Sequence, residues 1–242
     1  MKNTFNYGGM AMPELTFLGH SAFLIEGAGL KGLIDPFLTN NPQASAKASD
    51  FTAVNYIFLT HSHGDHMGDT VDIAKRCGAT VITNAETAPY LMAQGIKCEN
   101  MQVGGKVSLP FGTVKAVPAC HGNPIMIDGE ARYAGLACGY VIEIEGRKIY
   151  HSGDTALISD MQLLQEEKID VACLPIGGYF TMDYEDAARA VGFIQPVKAI
   201  PMHYNTFPKI QCEPEKFAMA VSQRSLLGTE IVILKPGQSL EL

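Results

Sequence analysis

The chain has 242 residues, of which 47% are apolar and 18% charged, a globular composition that excludes a disordered or collagen-like chain. With 18 Lys+Arg against 25 Asp+Glu, the formal charge is −7. That balance argues against a protein built to grip phosphate backbones, so no nucleic-acid partner is expected.

The length suits one large domain or two small ones. Residues 1–12 read as a flexible N-terminal extension, with Met10 or Met12 as an alternative start. A single domain is expected over 13–242. Strands are predicted at 15–18, 23–26 and 32–34, followed by a polar surface loop at 40–50. A strand at 56–59 runs into a polar cluster at 60–66. A helix at 70–77 then stops at Gly78. Next come a strand at 80–83, a helix at 85–94, and strands at 106–109, 114–118, 139–144 and 148–150. A helix at 156–167 and a strand at 171–174 follow. The helix at 183–193 carries acidic residues in its first turn, which suits the positive end of its dipole. A strand at 199–202, a helix at 213–225 and a strand at 230–234 complete the chain. The order is strand-rich with interspersed helices. Two packed sheets with helices outside satisfy it.

No run approaches the ~18 apolar residues of a membrane span. The N-terminus has no secretory pattern. The six cysteines include no C-x-x-C pair, which leaves a thiolate zinc site or redox motif without support. A cytoplasmic protein with reduced thiols and no membrane partner is expected. A faint repeat also emerges. Residues 23–35 (FLIEG…GLID) and 140–154 (YVIEIEG…KIYHSGD) each read as a hairpin ending in Asp. Each is followed by an apolar strand entering a polar loop. Either hairpins simply look alike, or the chain is a duplicated half-sandwich with its site at the seam.

Three of the seven histidines fall within Thr60-His-Ser-His-Gly-Asp-His66, on a strand-to-helix loop. His61 and His63 can face one side of an extended chain. Gly64 then lets the backbone turn, so Asp65 and His66 face a second point nearby. Imidazoles and carboxylates suit zinc and neighbouring first-row metals. Two such ions need ligands from elsewhere. His121, Asp154 and His203 each end an apolar run, so each strand would deliver its residue to one rim.

These residues resemble the metallo-β-lactamase superfamily: T-H-x-H-x-D-H at 60–66, then His121, Asp154 and His203 in the family's order. LGHSAFLIE at 18–26, LIDPF at 33–37 and IPMHYNTFP at 200–208 resemble its metal-dependent hydrolase branch. That branch is related to ascorbate-phosphate lactonases and, more remotely, to phospholipase D enzymes acting on N-acyl-phosphatidylethanolamine. The resemblance implies an α+β, four-layer αββα sandwich with the site at one edge of the two sheets. It implies two divalent ions, zinc first, with manganese, nickel or iron as alternatives. His61, His63 and His121 would hold one ion; Asp65, His66 and His203 would hold the other; Asp154 would bridge them. Asp35 would hydrogen-bond a ligand and fix its orientation. Asp65, His203 and His20 are the expected catalytic residues. True β-lactamases carry Cys where Asp154 stands, so antibiotic hydrolysis is not expected. The implied activity is attack of a metal-bound hydroxide on a small ester, lactone or phosphodiester. A di-iron oxygen or nitric-oxide redox enzyme and a non-catalytic binding protein are the alternatives. A small-molecule substrate is the expected partner, and the resemblance leaves room for a homo-oligomer.

Lesser candidates stay open. His20 reads as a substrate contact or a structural turn residue. His151 reads as a partner of a ligand or an exposed strand-end residue. Residues 177–182 read as a substrate wall or a plain connection. Tyr204 and Asn205 flank His203. Cys120 reads as a buried apolar filler.

Overall fold

The computed structural model describes residues 12–224 and 228–242. The first half runs β1 (Glu14–Gly19), β2 (Ala22–Gly27), β3 (Leu30–Ile34), β4 (Tyr56–Phe58), α1 (Gly64–Met67), α2 (Thr70–Cys77), β5 (Thr80–Asn84), α3 (Ala88–Met92) and β6 (Lys97–Met101). The second runs β7 (Lys106–Leu109), β8 (Gly112–Pro118), β9 (Pro124–Ile127), β10 (Glu130–Tyr133), β11 (Cys138–Ile144), β12 (Arg147–His151), β13 (Val171–Pro175), α4 (Tyr184–Ile194), β14 (Lys198–Met202), α5 (Pro214–Gln223), β15 (Glu230–Ile231) and β16 (Ser239–Glu241).

Two seven-stranded sheets form, in the orders β16-β1-β2-β3-β4-β5-β6 and β15-β14-β13-β12-β11-β8-β7. Successive side chains point to opposite faces of the pleat, and both faces are covered, so neighbours along a strand enter different cores. Phe23 and Ile25 of β2 and Tyr140 and Ile142 of β11 face the core between the sheets. Val141 and Ala172 face a second core under α4 and α5. Leu33, Ile57 and Val81 face a third core beneath α2 and α3. The layers are therefore αββα, as expected.

The repeat is a duplication of connectivity. β1, β2 and β3 pair antiparallel, and then β3, β4, β5 and β6 pair parallel. In the other sheet β8, β11 and β12 pair antiparallel, and β12, β13, β14 and β15 pair parallel. Asp35 follows β3 and Asp154 follows β12, at matching places. The carboxyl ends of the parallel strands open on one edge, where open α/β sheets take ligands.

Several boundaries differ from expectation. Residues 156–167 are not an α-helix. They hold a 3-10 helix at Ser159–Glu167, in which Met161 and Leu164, three apart, both face the sheet. Pro89 and a turn in which Asn84 Oδ1 accepts from the Thr87 amide delay the start of α3, so 85–94 shrinks to Ala88–Met92. The 230–234 strand keeps only two residues in the ladder. The 40–50 loop contains a 3-10 turn at Ala48–Asp50. β6, β16 and the β9–β10 hairpin were not expected. Its Asp128 (φ 52°) and Gly129 (φ 80°) make the two-residue turn that Asp-Gly favours. The 1–12 extension lies outside the described residues except for Met12, and so does the last residue of the 213–225 helix. Among the described residues, no helix is long and apolar enough to cross a membrane. All six cysteines are free.

Candidate metal centre

Each predicted site residue leaves its strand at the open edge. His20 sits in the turn after β1, Asp35 after β3, and His61, next to Thr60, after β4. His63 caps α1, which carries Asp65 and His66. His121 follows β8, Asp154 follows β12 and His203 follows β14. Three of them, His20 (φ 59°), Asp35 (φ 42°) and His203 (φ 55°), hold a left-handed backbone. That conformation costs a non-glycine residue about 1–2 kcal/mol, and such strain collects at functional sites. Glycines make room for Thr60 and His203. A Cβ on Gly153 would stand 2.9 Å from the Thr60 side chain, and one on Gly177 would overlap the His203 carbonyl oxygen.

The fold gathers the ligand atoms into three groups. One comprises His61, His63 and His121; the second comprises Asp65, His66, His203 and also His20; the third, Asp35 with His61 and His66, overlaps both. His61 Nε2 and His121 Nε2 lie 3.0 and 3.1 Å from His63 Nδ1. Asp154 stands between the first two. Its Oδ1 is 3.1 Å from His66 Nε2, and its Oδ2 is 3.1 Å from His203 Nε2 and 3.6 Å from His121 Nε2. Asp65 Oδ2 lies 3.4 Å from His20 Nε2 and 4.0 Å from His203 Nε2.

Asp35 anchors the arrangement from below. Its Oδ1 accepts from the Thr60 amide at 2.8 Å, and its Oδ2 accepts from the Thr60 hydroxyl at 2.6 Å and from His66 Nδ1–H at 2.7 Å. The Thr60 hydroxyl proton is thereby committed. Its oxygen accepts from His61 Nδ1–H at 3.0 Å. Both rings are thus fixed with the Nε2 lone pair towards the site, as ligating imidazoles require.

Several polar atoms of the cluster have no hydrogen-bond partner. His66 Nε2, Asp154 Oδ1, His20 Nε2 and both ring nitrogens of His203 are buried without a hydrogen bond. Leaving one such group unpaired costs about 1–3 kcal/mol. A cluster of them, all nitrogen and oxygen donors around one carboxylate, fits a divalent cation.

Electrostatics prepares the same state. Burial lowers the His20 pKa to about 4, pushes His61 well below the ordinary imidazole range, and lowers His63 and His121. Burial alone would raise the carboxylates. However, His20 and His66 hold Asp65 ionised, and His203 and His66 do so for Asp154. His66 goes the other way: burial lowers its affinity for a proton, but Asp154 and Asp35 outweigh that and raise it. The proton they favour stands where a cation would satisfy the same two carboxylates.

His63, Asp65, His121, Asp154 and His203 line a cleft of about 230 Å³ together with Phe180. Of the 177–182 segment, Phe180 reaches this cleft. His151 is not at the exposed end of a strand. It is fully buried, with Nε2–H donating to the Ser21 carbonyl at 3.0 Å. Cys120 is exposed rather than buried. Asn205 turns away, accepting from the Cys212 amide at 2.8 Å, and Tyr204 packs into the core under α4.

Three positioning residues escaped the sequence reading. Thr60 was inside the motif, and the need of each ligating ring for a partner on its far nitrogen could have singled it out. Asn123 holds the His61–His63 segment by accepting from the Ser62 amide and hydroxyl, both at 2.7 Å. Thr206 stands 2.8 Å from His20 Nδ1. Nothing in the sequence marks these last two.

Residues 31–204 match a family described as "Beta-lactamase superfamily domain". A UPF0173 metal-dependent hydrolase of Alkaliphilus metalliredigens is 49% identical over 221 residues, covering 90% of this chain and 98% of that protein. Another, of Carboxydothermus hydrogenoformans, is 46% identical over 230 residues, covering 95% and 100%. The solved structure of Igni18, a metallo hydrolase from Ignicoccus hospitalis, superposes with a TM-score of 0.85 at 33% identity, covering 95% of this chain and 98% of that one.

Proposed function

The chain belongs to the β-lactamase superfamily, and from that premise we propose that it is a metal-dependent hydrolase of a small ester, lactone or phosphodiester. The observation that carries the reading is the set of buried, unpartnered donor atoms around Asp154. His61, His63 and His121 would hold one divalent ion, and Asp65, His66 and His203 a second, with Asp154 common to both. Bound there, the ions would supply Lewis acidity and acidify water towards neutrality.

The chain's own residues do the rest. Asp65 is partly exposed to the cleft and held ionised by His20 and His66, the state that accepts a proton. His20, kept neutral by burial, positions that carboxylate. Asp35 fixes the His66 ring. Phe180 lines the cleft and would give the substrate an apolar contact beside the reacting bond.

The test begins with elemental mass spectrometry on protein purified without chelators, where about two ions per chain are expected. Turnover of p-nitrophenyl acetate, a γ-lactone and bis(p-nitrophenyl) phosphate would then be compared before and after chelation and after metal is restored. Metal-dependent cleavage of at least one supports the reading. Protein that binds no metal after reconstitution overturns it.

A further inference from the structure

A second cavity, of about 310 Å³, lies on the outer side of the β8 sheet, beneath the 3-10 helix Ser159–Glu167. That is at the small end of the ~300–1,000 Å³ range of ligand pockets. Its walls are mostly apolar, with Val117 on β8 and Met161 and Leu164 on the 3-10 helix. Leu163 is left 68% exposed at its rim, an apolar side chain with no packing reason to be there.

Tyr150 supplies a polar group. Its ring lies over Gly139, where a Cβ would meet Cε2 at 3.0 Å, and so extends across β11 towards Val117 on the next strand. The residue is fully buried and lines the cavity, and its hydroxyl has no hydrogen-bond partner. A buried hydroxyl without a partner is costly unless something accepts from it. Burial also raises the phenol's pKa, so it stays a donor. Of the two charged residues in the lining, Lys115 pairs with Glu167 at 2.7 Å and Asp160 is exposed to solvent.

We propose that this cavity binds a small neutral molecule with an apolar body and one hydrogen-bond-accepting oxygen, which accepts from Tyr150. The site is separate from the cleft that holds Asp154, but it is tied to it. Its floor, β8, leads to His121, and its roof follows Asp154 in the chain. Just before the metal centre the two are clamped together: the Cys120 amide donates to Thr155 Oγ1 at 3.0 Å, and the Ala156 amide donates to the Cys120 carbonyl at 3.1 Å. An occupant that lifts the 3-10 helix would pull on this clamp.

The test is an NMR titration of the full chain with acetophenone, which has an aromatic body and one carbonyl. The methyl signals of Val117, Met161 and Leu164 should shift and saturate at a ligand concentration below about 10 mM. The amides of Cys120 and Ala156 should move with the same midpoint. Tyr150→Phe keeps the ring and removes only the donor, so the fold is retained and the affinity should fall about three- to tenfold. Val117→Met, which fills part of the space, should abolish saturation. Methyl signals that do not saturate, or equal affinity in Tyr150→Phe, would overturn the site. Silent amides at 120 and 156 would overturn its link to the metal centre.

Discussion

Asp35 lies fully buried beneath His66, with its Oδ2 2.7 Å from the ring's Nδ1. The same carboxylate takes both protons that Thr60 can give. One side chain therefore orients two of the proposed ligands, His66 directly and His61 through Thr60. Asp35→Asn replaces an acceptor with an amide whose N–H₂ cannot receive those protons. Metal affinity should fall about 10–100-fold, with the fold intact by circular dichroism. Chelator competition would measure it, and unchanged affinity would show that Asp35 serves folding alone.

Asp65 and His121 come from opposite halves of the chain and sit in different ligand groups. Asp65→Ala and His121→Ala should each abolish hydrolysis and reduce metal content, with little change in unfolding temperature of the metal-free protein. Full activity in either variant would be incompatible with the site as drawn.

Two glycines near the site should respond differently to alanine. At Gly177 a methyl group would collide with the His203 carbonyl, so Gly177→Ala should cost about 1–3 kcal/mol, a few degrees of melting temperature at this chain length. Gly64 lies inside the histidine motif, yet nothing stands within 4 Å of its missing Cβ. Gly64→Ala should leave thermal stability unchanged, and its melting curve beside that of Gly177→Ala checks both.

Acid should weaken the metal-free fold. Burial lowers His20, His61, His63, His121 and His151 below their unfolded values. Between the folded pKa and about 6.5, the unfolded chain takes a proton that the folded one refuses. Stability is thus lost as pH falls through that window, and for His20 the loss continues to about 4. His66 is raised instead, and its contribution is full below about 6.5. Five groups against one set the direction. Urea unfolding of chelated protein should show a lower midpoint at about pH 5 than at about pH 7.5. A midpoint that holds or rises on acidification would count against these burial effects.

The convergence of these His and Asp side chains was readable because they are concentrated in the sequence. Four candidate ligands stand within six positions, and each remaining one ends an apolar run, so strand direction alone delivers it to the rim. The duplicated hairpins were visible too, since FLIEG and YVIEIEG carry the same alternation. What stayed hidden depends on contacts distant in sequence. Thr206 reaches His20 across 186 positions and Asn123 reaches Ser62 across 61, and neither leaves a local pattern. The 3-10 helix at Ser159–Glu167 was mistaken for an α-helix because a three-residue spacing of apolar side chains also fits one face of an α-helix. The β9–β10 hairpin was legible in principle: Asp128-Gly129 sits between PIMI and EARY, but its polar outer strand disguised it as a loop.

The equivalence of the two sheets also gives the metal centre a mechanical meaning. His61, His63, Asp65 and His66 belong to one copy of the repeated unit, and His121, Asp154 and His203 to the other. On the proposed reading, ions seated between them act as rivets through the seam. The two copies cannot part without tearing ligands from the ions, so loading would slow unfolding as well as equip the chain for hydrolysis.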